Sequence, residues 1–175
     1  MKIFVDSIRA CLSDQNWHGA LTMTLILPDI CGNIEHPNER VGNRYKSWYE
    51  SFVINGPHPK DDPEGQRYKY PSSEDCYALR CSILHAGSEE IANTTTKEIL
   101  GQYHFFKPEG NFTFYGLQVG NVVQLQVDKF CEKVCLGAEE WERGKLSSSN
   151  YSDDFDGKIV RIRSSFTDGI KLTTK

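Results

Sequence analysis

Apolar residues return at three- and four-residue steps through several separate stretches of this chain, a rhythm that restricts it to a bundle of amphipathic helices. Ile3, Phe4, Ile8, Cys11 and Leu12 give one apolar face to a first helix over 2–15. Trp17, Ala20, Leu21, Met23, Leu25, Ile26 and Leu27 follow in a second helix, apolar enough to lie centrally in the fold. Pro28 interrupts that pattern. A proline removes one helical hydrogen bond and crowds the preceding turn, so the helix kinks there or restarts with Pro28 in its first turn, and Asp29 then favours the new N-terminus. Val41, Tyr45, Trp48, Tyr49 and Phe52 mark a third helix, and Val123, Val127, Phe130, Val134, Ala138 and Trp141 mark a long one over 121–141.

The best-delimited helix is 72–87. Pro71 precedes it, Ser72 with Asp75 three residues on fits a capping box, and Gly87 can take the left-handed conformation that stops a helix. Cys76, Leu79, Ile83 and Ala86 form a core stripe expected to pack along the 121–141 helix. Tyr77, Cys81 and Leu84 form a second apolar patch, and Arg80 and His85, roughly 140° apart around the axis, flank it on either side.

Between the helices, Pro57, Pro59, Pro63 and Gly65 mark a long surface loop over 55–71. The aromatic-rich stretches 99–106 and 111–115, separated by Lys-Pro-Glu-Gly, predict a hairpin, in which His104 is a lone histidine with a structural role. A second hairpin is expected over 158–173, around Thr-Asp-Gly. At 175 residues the chain suits one domain over 1–175 that needs no metal or disulfide staple. The expected fold class is mainly α, a helical bundle with one or two small β-hairpin elaborations.

Apolar residues at 38% and charged residues at 25% are ordinary for a folded soluble protein. No apolar run approaches a membrane span, and the opening Met-Lys-Ile-Phe-Val-Asp lacks the apolar core and cleavage site of a signal peptide, so the expected location is cytoplasmic. The six cysteines sit on or beside apolar stripes without a Cys-x-x-Cys knuckle, which reads as buried reduced thiols, with no metal and no cofactor expected. A net charge of -4 offers phosphate backbones no global attraction, so a nucleic-acid partner requires a local basic patch. The candidates are few and dispersed: Arg40, Arg44 and Lys46 begin one helix, Arg67 and Lys69 lie in the loop before 72–87, and Lys158, Arg161 and Arg163 mark the C-terminal segment, each read first as a solvated charged surface. Arg44 to Tyr49 interleaves bases with aromatics as a base-stacking platform does, although core packing is the preferred reading of those rings. Asp29 and Glu35 flank the apolar piece 30–34 and are candidate polar members of a site. Otherwise Asp29 serves a helix terminus and Glu35 faces solvent or pairs with a basic neighbour.

The run Tyr77-Ala-Leu-Arg80-Cys-Ser-Ile-Leu-His85-Ala-Gly87 resembles the HEPN superfamily, helical-bundle proteins whose nuclease members carry Arg, then four to six residues, then His, near a helix end. The stretch Leu27-Pro-Asp-Ile-Cys-Gly-Asn-Ile-Glu35 also resembles segments of bacterial proteins to which no activity is assigned. The HEPN resemblance implies metal-independent RNA cleavage. In that reaction the ribose 2′-hydroxyl attacks phosphorus, His85 exchanges protons, and Arg80 neutralises the phosphate oxygens. Tyr77, Asp29, Glu35 and Arg44 are the candidate substrate-binding residues. It further implies a homodimer that brings two motifs to one cleft, since one histidine per chain does not serve easily as both acid and base. Cys81 departs from the polar residue that often follows the family's arginine. The alternative is a catalytically silent homodimer that binds RNA, a nucleotide or a protein. Arg80 then pairs with an acid such as Asp29, Glu35 or Asp128.

Overall fold

Asn16 opens the helix on which the others assemble: its side-chain oxygen accepts from the Gly19 amide at 3.0 Å and starts α2, Trp17–Glu35. The structure, a computed structural model, describes residues 1–60, 62, 69–84, 101–110 and 115–147. Around α2 stand α1 (Lys2–Ser13), α3 (Val41–Tyr49), α4 (Ser73–Leu84) and α5 (Val127–Leu146). Three short strands, β1 (Tyr103–Phe106), β2 (Tyr115–Val119) and β3 (Val122–Gln126), complete a mainly helical fold with a small sheet. No helix among the described residues is long and apolar enough to cross a membrane.

α2 runs unbroken through Pro28, so neither a restart nor a new N-terminus exists for Asp29 to serve. Its buried residues, Ala20, Thr24, Leu25, Leu27, Pro28, Cys31, Gly32 and Ile34, cover roughly half of its circumference, and it packs against α1, α3, α4 and α5. α4 begins as expected, with Ser72 Oγ accepting from the Asp75 amide at 3.1 Å. Its main contacts are with α2 and α3, however, and those of α5 are with α1, α2 and the turn after α3. The expected packing of α5 along α4 is thus replaced, because α2 offers both helices a larger apolar surface than either offers the other. On α4 only Cys76 and Leu79 are buried, while Ile83 and Leu84 remain 38% and 42% exposed, which removes Ile83 from the core stripe.

α3 widens after Tyr49 into a π-helical turn, Glu50–Ile54. The Phe52 carbonyl oxygen of that turn lies so close to α5 that a Cβ on Gly137 would overlap it. At the other end of α3, a Cβ on Gly32 of α2 would stand 2.7 Å from the Arg44 carbonyl oxygen. Both helix contacts therefore depend on the missing side chain. Tyr45, Trp48 and Tyr49 are buried between these points, and Trp48 meets Trp141 edge-on at 6.4 Å. The rings of 44–49 consequently form core, as preferred above, and present no stacking platform to solvent. All six cysteines are free thiols, of which Cys31, Cys76, Cys131 and Cys135 are buried.

The sheet order is β1-β3-β2, with β3 parallel to β1 and antiparallel to β2. Of the expected hairpin of 99–106 with 111–115, residues 99–100 and 111–114 lie outside the described residues; among the described ones β1 pairs with β3, and the tight connection joins β2 to β3 through Gly120 at φ +60°. The long helix correspondingly starts at Val127, since the β-branched pair Val122-Val123 belongs to β3. Tyr103 and Phe105 tie β1 down, the first donating its hydroxyl to Asp75 Oδ2 at 2.7 Å and the second packing on Phe130 at 5.5 Å. The hairpin expected over 158–173 lies outside the described residues.

Lys133 on α5 holds the chain that leaves the π-helical turn. Its side chain is wholly buried, and its ammonium donates to the carbonyls of Pro57 at 2.8 Å and Gly56 at 3.3 Å and to His58 Nδ1 at 3.2 Å. Burial pushes the amine down from its ordinary 10.5 to about 8, against the opposing charge of Asp62.

Two outcomes are expected. In urea unfolding, Gly137→Ala should lose about 1–3 kcal/mol through overlap with the Phe52 carbonyl. Gly144→Ala, whose Cβ would enter open space on the same helix, should be neutral or gain up to about 1 kcal/mol. Between pH 8 and 10.5 the unfolded chain holds the Lys133 proton that the native state has released, so its contribution to stability rises through that window. The stability of wild type relative to Lys133→Met should accordingly increase by up to about 3 kcal/mol from pH 7 to 10. A flat difference would show that the amine titrates normally.

Candidate functional site

Leu25, Asp29 and Gly32 fall at four- and three-residue steps on one face of α2, and that face receives α3 and α4. Gly32 admits the α3 backbone at Arg44. Tyr45, next along α3, donates its hydroxyl to the Leu25 carbonyl at 3.0 Å and lies 3.3 Å from Cys76 Sγ of α4. With three helices fixed in this way, Arg44 and Arg80 arrive on opposite oxygens of one carboxylate. Arg80 Nη2 donates to Asp29 Oδ2, and Arg44 Nη2 stands 3.7 Å from Asp29 Oδ1.

The three side chains are 12–16% exposed, so the cluster lies just beneath the surface. Among the described residues, two guanidinium groups against one carboxylate leave one positive charge in excess. The Nε atoms of Arg44 and Arg80 are both buried and have no hydrogen-bond partner among the described residues. Burial by itself would lower the Arg80 pKa, but the charge and hydrogen bond of Asp29 outweigh it and raise the net value, so Arg80 is a permanent cation. Its guanidinium carbon lies 5.9 Å from the Tyr77 ring centre, a cation–π contact, and Nη1 is 3.9 Å from Cys81 Sγ. Tyr77 in turn packs on Tyr45, at 5.3 Å between ring centres, and over Gly42. Burial, and then Cys81, push the Tyr77 hydroxyl pKa up, which keeps it neutral.

The structure therefore gathers Asp29, Arg44, Tyr77 and Arg80 at one place. Glu35 is elsewhere: it accepts from the Trp141 indole at 2.6 Å and from Lys145 at 2.9 Å. Burial opposes ionisation of Glu35, but those two donors outweigh it and hold its carboxyl below the usual range. Asp128 is in the first turn of α5 and His104 is exposed on β1 beside Phe106. His85 lies outside the described residues, one position beyond the last residue of α4. Among the described residues no three His, Cys, Asp or Glu side chains are grouped to hold a metal ion.

The Arg80–Asp29 pair is among the alternatives read from the sequence; what sequence reasoning missed is that Arg44 joins it on the same carboxylate. The spacing Leu25-Asp29-Gly32 was the available signal, because a glycine one turn from an acid marks where a neighbouring backbone can come close. No protein-family model, curated protein or solved structure matches this chain.

Asp29→Ala should cost roughly 2–4 kcal/mol in equilibrium unfolding, between the values for exposed and fully buried pairs, because it strands two cations. Removing Arg80 should cost more than removing Arg44, whose contact is longer. Equal, sub-kilocalorie losses at all three positions would mean that solvent screens the cluster.

Proposed function

We propose that the Arg44–Asp29–Arg80 cluster receives a phosphate group of RNA or of a nucleotide, in a HEPN-like homodimer that acts by binding. The observation behind this reading is the sharing of one carboxylate by two arginines. Asp29 holds the Arg80 fork by a hydrogen bond and attracts Arg44 across 3.7 Å, neutralising one of the two, so among the described residues the site keeps donors and a positive charge for an incoming anion. A chain of net charge -4 gains phosphate affinity through such a local excess and not through its overall field. Ile83 and Leu84, exposed at the end of α4, provide the apolar contact for the second copy.

Cleavage is the second reading, favoured by the Arg80-x4-His85 spacing. It would proceed without metal, the 2′-hydroxyl attacking phosphorus and the 5′-oxygen departing, with His85 of each protomer exchanging protons across a shared cleft. The engagement of Arg80 with Asp29 weighs against it, since the charge needed in the transition state is already compensated in the resting protein.

Both readings are tested together with labelled single-stranded RNA in chelator, following anisotropy and product formation while light scattering reports the mass. Binding that weakens about tenfold or more in Arg44→Ala and Arg80→Ala, with intact RNA, is the expected result. Product formation lost in both Arg80→Ala and His85→Ala would establish the nuclease. RNA and nucleotides that fail to bind at low salt would overturn both.

A further inference from the structure

On another part of the molecule, α1, the 56–60 turn and the first turns of α5 enclose a cavity of about 460 Å³, in the size range of small-molecule sites. Its wall combines three chemistries. Leu12, Pro59 and Leu136 make an apolar side, His58, Lys60 and Lys129 bring donors, and Asp128 and Glu132 bring carboxylates.

The two carboxylates are not equivalent. Glu132 is engaged by Arg9, whose Nη2 and Nε reach it at 2.7 and 3.1 Å. Asp128 has no such neighbour: its Oδ1 is buried and meets no donor among the described residues. Asp128 is partly exposed and lines the cavity, so of the two acids it is the one left to accept from a ligand.

His58 is fixed in the opposite sense. The Lys133 ammonium has only protons to give, so the Nδ1 it reaches must accept and the ring proton sits on Nε2. Burial and the Lys133 charge lower the His58 pKa, which makes the ring a neutral donor at physiological pH. A purely anionic ligand would satisfy His58 and Lys60 but oppose Asp128, and a purely cationic one would do the reverse. A molecule carrying both charges on one small frame satisfies both ends.

We propose that this cavity binds a free α-amino acid with an aliphatic side chain, its carboxylate on His58 and Lys60, its ammonium on Asp128 and its side chain against Leu12 and Leu136. The assignment is independent of the arginine cluster and of any RNA.

The test titrates the full chain with L-leucine, with isocaproate, which lacks the amine, and with isoamylamine, which lacks the carboxylate, by calorimetry and two-dimensional NMR. L-leucine should bind saturably and perturb the amides of 58–60 and 128–136, with each analogue at least about tenfold weaker. Asp128→Asn should weaken leucine about tenfold without weakening isocaproate. Absence of saturable leucine binding up to roughly ten millimolar would overturn the proposal. So would an analogue that binds as well as leucine, or a folded Asp128→Asn that binds leucine normally. The analogue series on the wild-type chain decides the matter even where the variant does not fold.

Discussion

The geometry depends on two approaches of α3 to its neighbours that only glycine permits. Gly32 lets the Arg44 carbonyl rest on α2, and Gly137 lets the Phe52 carbonyl rest on α5. α3 and its π-helical turn are thereby pinned at both ends between the two largest helices. The first contact delivers Arg44 to Asp29, and the second directs the chain so that Gly56, Pro57 and His58 pass over Lys133. Neither polar arrangement is local in sequence, and both follow from the placement of one short helix.

The two arrangements treat buried positive charge differently. Arginine holds its proton at any accessible pH, so the Arg44–Asp29–Arg80 cluster is a fixed electrostatic feature whose net charge does not vary. Lysine gives way: Lys133 is held by two carbonyls and an imidazole, and burial brings its amine towards neutrality just above physiological pH against the charge of Asp62. A guanidinium in its place would keep the charge but has a planar fork too broad for the three convergent acceptors.

Much of the helical layout was legible in the sequence, because amphipathic periodicity reports burial directly. The centrality of α2 followed from its apolar richness, and the start of α4 from Pro71, Ser72 and Asp75. The strands were less legible. β1 pairs with a segment some twenty residues on, and the valines of β3 continue the spacing of α5, so the helical period ran past its true boundary. In the site, Asp29, Arg44, Tyr77 and Arg80 were each named as candidates and Arg80 with Asp29 as a possible pair, but the arrival of Arg44 was hidden because the residue that admits its backbone is a glycine, which has no side chain to give a pattern. Glu35 was misplaced for a related reason: its partners Trp141 and Lys145 lie on a helix over a hundred residues away. Lys133 and Asp128 carried no local signal, since a charged residue in a helix reads as solvent-facing until its neighbours are known.

The π-helical turn also bears on which changes of length the chain tolerates. Such a turn holds one residue more than the α-helix it interrupts, and regularising it would rotate all that follows by about 100°. The Pro57 and Gly56 carbonyls would swing away from Lys133, and the turn over the cavity would lose its floor. Within 50–54 the number of residues is therefore constrained more tightly than their identities, and a single deletion there would do more harm than most substitutions.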